Sequence, residues 1–125
     1  MGSDRILIVE DDQMLVSMFS DALGAVGYDV TAQDSIFGAA ARVRELQPAA
    51  VLLDLGLPFR SGTSLLAELK ADPRTTDVPV LVVSGMPETL APDRRALAAA
   101  VLSKPFGLDD LLDAVRCACA GERQN

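Results

Sequence analysis

Apolar residues in this chain come in short unbroken runs separated by longer stretches of helical periodicity. Ile6-Leu7-Ile8-Val9, Val51-Leu52-Leu53 and Val80-Leu81-Val82-Val83 are such runs, and Val101-Leu102 is a shorter one. Runs this short, bounded by charged or turn residues, read as strands buried on both faces. The pattern predicts strands over 7–9, 50–54, 80–83 and 100–103, and a weaker one over 28–32. A helix is expected over 12–26, with Leu15, Phe19, Ala22, Leu23 and Val26 on one face and Gly27 as its stop. Ser35 is expected to cap a second helix running to about Leu46, which Pro48 ends. Gly56-Leu57-Pro58 and Ser61-Gly62 mark a loop before a third helix that runs to about Lys70. Asp72-Pro73 and Val78-Pro79 bracket the next loop. Pro87 and Pro92 both fall near the start of a fourth helix and leave its bounds open. Leu108, Leu111, Leu112, Val115 and Cys119 form the apolar stripe of the last helix.

Five such βα units, with no internal repeat and no long linker, predict a single doubly wound α/β domain. Its parallel sheet would be covered by helices on both faces, and right-handed crossovers leave few topologies. The domain is expected over 4–120, with 121–125 as a short polar tail and no effector segment after it. A stand-alone protein and a piece of a longer one both fit.

Composition narrows the function. The chain has 125 residues and 50% hydrophobic content, enough for one real core. No apolar run reaches ~18 residues and no signal-peptide pattern opens the chain, so a cytoplasmic protein without membrane contact is expected. The net charge is −7, and Lys70 and Lys104 are the only lysines. Without a basic cluster to neutralise phosphates, direct nucleic-acid binding by this segment is not expected. Cys117 and Cys119 are two apart on a helix and point to different faces, so they do not pair. Two thiols without any histidine also make a poor zinc site. Both read as structural, Cys119 as the one nearer the core.

The strand ends carry the chemistry. Glu10-Asp11-Asp12 follows the first run, Asp54 ends the second, Ser84 the third, and Ser103-Lys104-Pro105 the last. Ligands of open α/β sheets bind outside the carboxyl ends of the strands. Two like charges about 4 Å apart repel by ~4 kcal/mol at an effective dielectric of 20. One amine, Lys104, cannot balance three carboxylates; a hard divalent cation can. Glu10, Asp11 and Asp54 therefore read as a metal site, whereas Asp12 sits where a helix N-cap belongs.

Taken together, Ile6-Leu7-Ile8-Val9-Glu10-Asp11-Asp12, Leu53-Asp54-Leu55-Gly56-Leu57-Pro58 with Gly62, Val83-Ser84-Gly85 and Ser103-Lys104-Pro105-Phe106 resemble the receiver domain of bacterial two-component response regulators. The resemblance runs through nearly the whole chain. It implies a five-stranded parallel sheet in order 2-1-3-4-5, as in flavodoxin-like folds, and a phosphoacceptor at Asp54. It implies Mg²⁺ (or Mn²⁺) bound by Asp11, Asp54 and the Gly56 carbonyl, with Glu10 assisting through water. Ser84 would hydrogen-bond a phosphoryl oxygen, and Lys104 would pair with the phosphoryl group or with Asp54. The Lys104-Pro105 bond is often cis in that family. The implied partners are a sensor histidine kinase or histidine phosphotransfer protein and a downstream effector. The implied activity is signalling by self-catalysed phosphotransfer and dephosphorylation at Asp54, not catalysis on an external substrate. Met14 and Met18, one turn apart beside the core stripe of the first helix, are candidates for partner contact. Widening of the core face explains them equally well.

One position departs from the family. Val101 stands three residues before Lys104, where receivers usually carry Tyr or Phe. Valine has one stiff χ1 torsion and cannot sweep a large surface. Other functions fit less well. A haloacid-dehalogenase-type phosphatase needs a second Asp two residues after its nucleophile, and this chain has Gly56 there. A flavodoxin-like cofactor binder needs a phosphate loop after the first strand, where Glu10-Asp11-Asp12 would repel the phosphate. A receiver-like module that binds partners without phosphorylation stays open because of Val101.

Overall fold

A computed structural model describes residues 4–56, 62–85 and 90–121. In chain order the elements are β1 (Arg5–Val9), α1 (Gln13–Ala25), β2 (Asp29–Gln33), α2 (Ala39–Leu46), β3 (Ala50–Asp54), α3 (Gly62–Ala71), β4 (Val80–Ser84), α4 (Pro92–Arg95), β5 (Ala100–Ser103) and α5 (Leu108–Cys119). The five strands are parallel, in the order β2-β1-β3-β4-β5. This is the doubly wound sheet and strand order expected from the sequence.

The period-2 alternation of the strands divides the core between two faces. Leu7, Val9, Val51, Leu53, Val80 and Val82 point towards α2, α3 and the segment after α4. Ile6, Ile8, Leu52, Leu81, Val83 and Leu102 point the other way, towards α1 and α5. The interior positions of β1, β3 and β4 are buried. Burying each Leu, Ile or Val contributes roughly 1.5–3 kcal/mol relative to exposure, so the three central strands anchor the strand ends that carry the polar residues.

Several local expectations change. Ser35 does not cap α2: its Oγ accepts from the Phe37 N–H at 3.0 Å and closes a turn instead. The helix starts later, at Ala39, after Gly38 with φ 74°, a left-handed conformation that favours glycine. Val26 is exposed because α1 ends at Ala25 and the chain turns away there. Leu108 opens α5 at 40% exposure and flanks a groove, while Leu111 and Val115 of the same stripe are buried. Asp12 is the N-cap of α1, its Oδ1 accepting from the N–H groups of Met14 at 2.9 Å and Leu15 at 3.3 Å. Cys117 and Cys119 are free thiols, and Cys119 packs against the core. Leu57, Pro58, Ser61, Met86, Pro87 and the 122–125 tail lie outside the described residues.

Candidate functional site

The register of the sheet brings the strand ends together. Val9 of β1 lies beside Leu53 of β3, Asp54 beside Val83, and Ser84 beside Ser103. Glu10, Asp54, Ser84 and Lys104 therefore emerge side by side along one edge. Glu10 and Asp54 are 2% and 5% exposed, unusual burial for carboxylates. Ser84 is also buried, and Asp11 stands exposed at the rim.

Asp54 is held from two sides. Lys104 Nζ donates to its Oδ2 at 3.1 Å, and the Gly56 N–H donates to its Oδ1 at 2.8 Å. A Cβ at position 56 would lie 3.3 Å from that same Oδ1. The N–H of Lys104 is itself fixed on the Ser84 carbonyl at 2.8 Å, so β4 and β5 position the amine jointly. The Lys104-Pro105 peptide is cis, as the resemblance implies.

Glu10 shapes the first loop. Its Oε2 accepts from the N–H groups of Asp11 at 3.1 Å and Asp12 at 3.3 Å. Among the described residues its buried Oε1 has no hydrogen-bond partner. Burial, and then the Asp54 carboxylate beside it, push the Glu10 pKa up to about 8. For Asp54 burial acts upward too, but a hydrogen bond shared with Glu10, the Gly56 N–H and the Lys104 amine outweigh it and hold its pKa below the ordinary value. The opposite directions make Glu10, rather than Asp54, the group of the pair that more readily holds a proton.

A hard cation fits these groups. Carboxylate oxygens of Glu10, Asp11 and Asp54 lie within 4.8 Å of one another. The donors are all oxygen, as Mg²⁺ prefers, and the orphaned Glu10 Oε1 gives a water or ion a buried acceptor.

Two features of the site escaped the sequence reading. Gln33, at the end of β2, donates through Nε2 to the carbonyls of Ser35 at 2.6 Å and Phe37 at 3.3 Å and so shapes the neighbouring loop. Nothing in the sequence marks it. Phe106, two residues after Lys104, stacks on Phe19 of α1, ring centroids 5.8 Å apart and planes 23° apart. The apolar stripe of α1 marked Phe19 as core, but no sequence signal pairs it with Phe106.

Comparison with known proteins gives a consistent picture. The family described as the response regulator receiver domain matches residues 6–116. The transcriptional regulatory protein KdpE of Staphylococcus aureus is 33% identical over 114 residues, which are 90% of this chain and 48% of that protein. The DNA-binding dual master transcriptional regulator RpaA of Synechocystis is 37% identical over 115 residues, 90% of this chain and 47% of that protein. The chain thus spans about half the length of the curated relatives it matches. A sensor protein from Polaromonas superposes with a TM-score of 0.85 at 30% identity, over 94% of this chain and 97% of that one. The receiver domain of sensor histidine kinase PA1611 from Pseudomonas aeruginosa, solved with magnesium coordinated in its active-site cleft, gives 0.83 at 25% identity, over 95% and 99%.

Proposed function

The chain belongs to the response-regulator receiver family, and from that premise we propose that Asp54 is its phosphoacceptor, taking a phosphoryl group from a phosphohistidine on a partner protein. The observation that supports this most directly is the setting of Asp54. It is a buried carboxylate with an amine on one oxygen and an amide on the other, beside two further carboxylates.

A carboxylate oxygen of Asp54 attacks phosphorus; the new O–P bond forms as the N–P bond of the phosphohistidine breaks, and the imidazole nitrogen leaves with the electron pair. Such a transfer needs positioning and charge neutralisation more than covalent machinery. The Gly56 amide orients the carboxylate. Lys104 shifts from Asp54 to a phosphoryl oxygen, and the Ser84 hydroxyl donates to another. Asp11, Asp54 and the Gly56 carbonyl would hold Mg²⁺ (or Mn²⁺), with Glu10 assisting through water. When bound, that ion neutralises charge on the carboxylates and the transferring group.

The acyl phosphate is later hydrolysed in the same site, so the domain acts on itself and on no external substrate. Its partners are a sensor histidine kinase or histidine phosphotransfer protein upstream and an effector domain or protein downstream. We assign 4–120 to the receiver unit, 121–125 to a polar tail, and the cytoplasm as its location. Among the described residues no helix is long and apolar enough to cross a membrane. KdpE and RpaA are named as transcriptional and DNA-binding regulators. With a net charge of −7, this segment is a poor binder of DNA, so any such contact belongs to an effector.

Incubation with Mg²⁺ and acetyl phosphate, read by intact mass, tests the assignment. The wild type should gain one phosphoryl group, Asp54→Asn none, and Asp11→Asn should gain it slowly with weakened Mg²⁺ binding. Normal incorporation in Asp54→Asn would sink the proposal.

A further inference from the structure

We infer that the state of Asp54 is relayed to a groove beside α1, through Lys104, Pro105 and the stacked rings of Phe106 and Phe19, rather than to the face formed by α4 and β5. The inference rests on Asp54 being the phosphoacceptor.

A groove of about 380 Å³ lies between α1 and the connection from β5 to α5, lined by Met18, Phe19, Phe106 and Leu108 among others. Lys104 also lines it. The residue that touches the Asp54 carboxylate at 3.1 Å is therefore also part of the groove wall. The link to the site is not only the flexible lysine stem. The Lys104 N–H is bonded to the Ser84 carbonyl at 2.8 Å. Movement of Ser84 and Lys104 towards a phosphoryl group draws both strand ends, and the backbone leading into Pro105 and Phe106, the same way. Phe106 meets Phe19 in a stacked pair. Phe19 is 3% exposed and fixed in the core, so Phe106 must slide on it or carry α1 along. Either changes the groove, whose rim residues Met18 and Leu108 are open to solvent.

Among the described residues the opposite face shows no comparable part. Val101 is half-buried and, like Leu97, packs against the core beneath it. Its single stiff torsion gives it no second large-scale position. α4 is one turn, Pro92–Arg95, and buries none of its own side chains. A modification shifts an equilibrium only through groups that interact differently with its two states, and among the described residues the ring pair is the large side-chain contact tied to Lys104.

Amide hydrogen exchange on the whole chain, with Mg²⁺ alone and with Mg²⁺ plus beryllofluoride, tests the relay, with fluorine NMR reporting bound beryllofluoride. Exchange should change more over 15–19 and 105–108 than over 97–102. In Phe106→Leu the change over 15–19 should be lost while the bound fluorine signal persists. Bound beryllofluoride with changes over 97–102 equal to or larger than those over 15–19 would overturn the relay, and so would an unaltered α1 response in Phe106→Leu. The wild-type comparison of the two faces decides even if that variant folds poorly. Absence of any bound fluorine signal would overturn the phosphoacceptor reading, and the relay with it.

Discussion

Gly56 shows how much one missing side chain can matter here. Its N–H holds Asp54 Oδ1 at 2.8 Å, and a methyl group at its Cα would sit 3.3 Å from the same oxygen. That is close enough to displace the carboxylate by a few tenths of an ångström, since Asp54 and not a loose surface chain would have to give. Reactions that depend on alignment lose rate from small displacements. Gly56→Ala should therefore slow phosphorylation from acetyl phosphate by up to about tenfold, roughly 1.4 kcal/mol of barrier. Because position 56 is exposed, the melting midpoint should barely move. An unchanged rate would mean that the carboxylate relaxes without cost.

At the scale of the elements, α1 separates what the sequence could say from what it could not. Asp12 was legible as its cap because it precedes a periodic apolar stretch. Met14 and Met18 were ambiguous, because a slightly wider stripe would have buried both. The structure leaves Met14 72% and Met18 44% exposed, so neither is needed for the core. Met14→Lys should weaken phosphotransfer from a phosphohistidine protein and spare transfer from acetyl phosphate; equal loss with both donors would point to a folding defect instead. The strands were legible because burial on both faces forces unbroken apolar runs, and their polar ends located the site. Ser35 is ambiguous in the sequence because a hydroxyl can close a turn as readily as it caps a helix. Leu108 and Val26 fit the apolar stripes yet are exposed, because periodicity continues past the point where a helix end leaves the core. The Phe19–Phe106 contact was invisible because it joins residues distant in sequence, and only the crossover geometry brings them together.

At the scale of the whole molecule, the buried carboxyl pair ties stability to pH and to metal. Glu10 has a folded-state pKa of about 8 against an ordinary 4.5, so between those values the folded protein binds more protons than the unfolded chain. Stability from that proton is full below the ordinary value and is lost as pH rises through about 8. Asp54 has the opposite sign: its lowered pKa contributes stability that is lost only as pH falls below the ordinary 3.8, outside this window. The chain has no histidine to obscure the effect. The melting midpoint without Mg²⁺ should therefore fall between pH 5.5 and 8. Mg²⁺ competes with the proton for the same carboxylates, so its binding releases protons and strengthens as pH rises. The midpoint gain on adding Mg²⁺ should be larger at pH 8 than at pH 6. Glu10→Gln, which cannot ionise, should flatten the metal-free profile and reduce the gain. Calorimetric scans across that range with and without Mg²⁺ would decide the matter: a flat metal-free profile in the wild type would mean that Glu10 is already ionised, its repulsion with Asp54 absorbed by Lys104 alone.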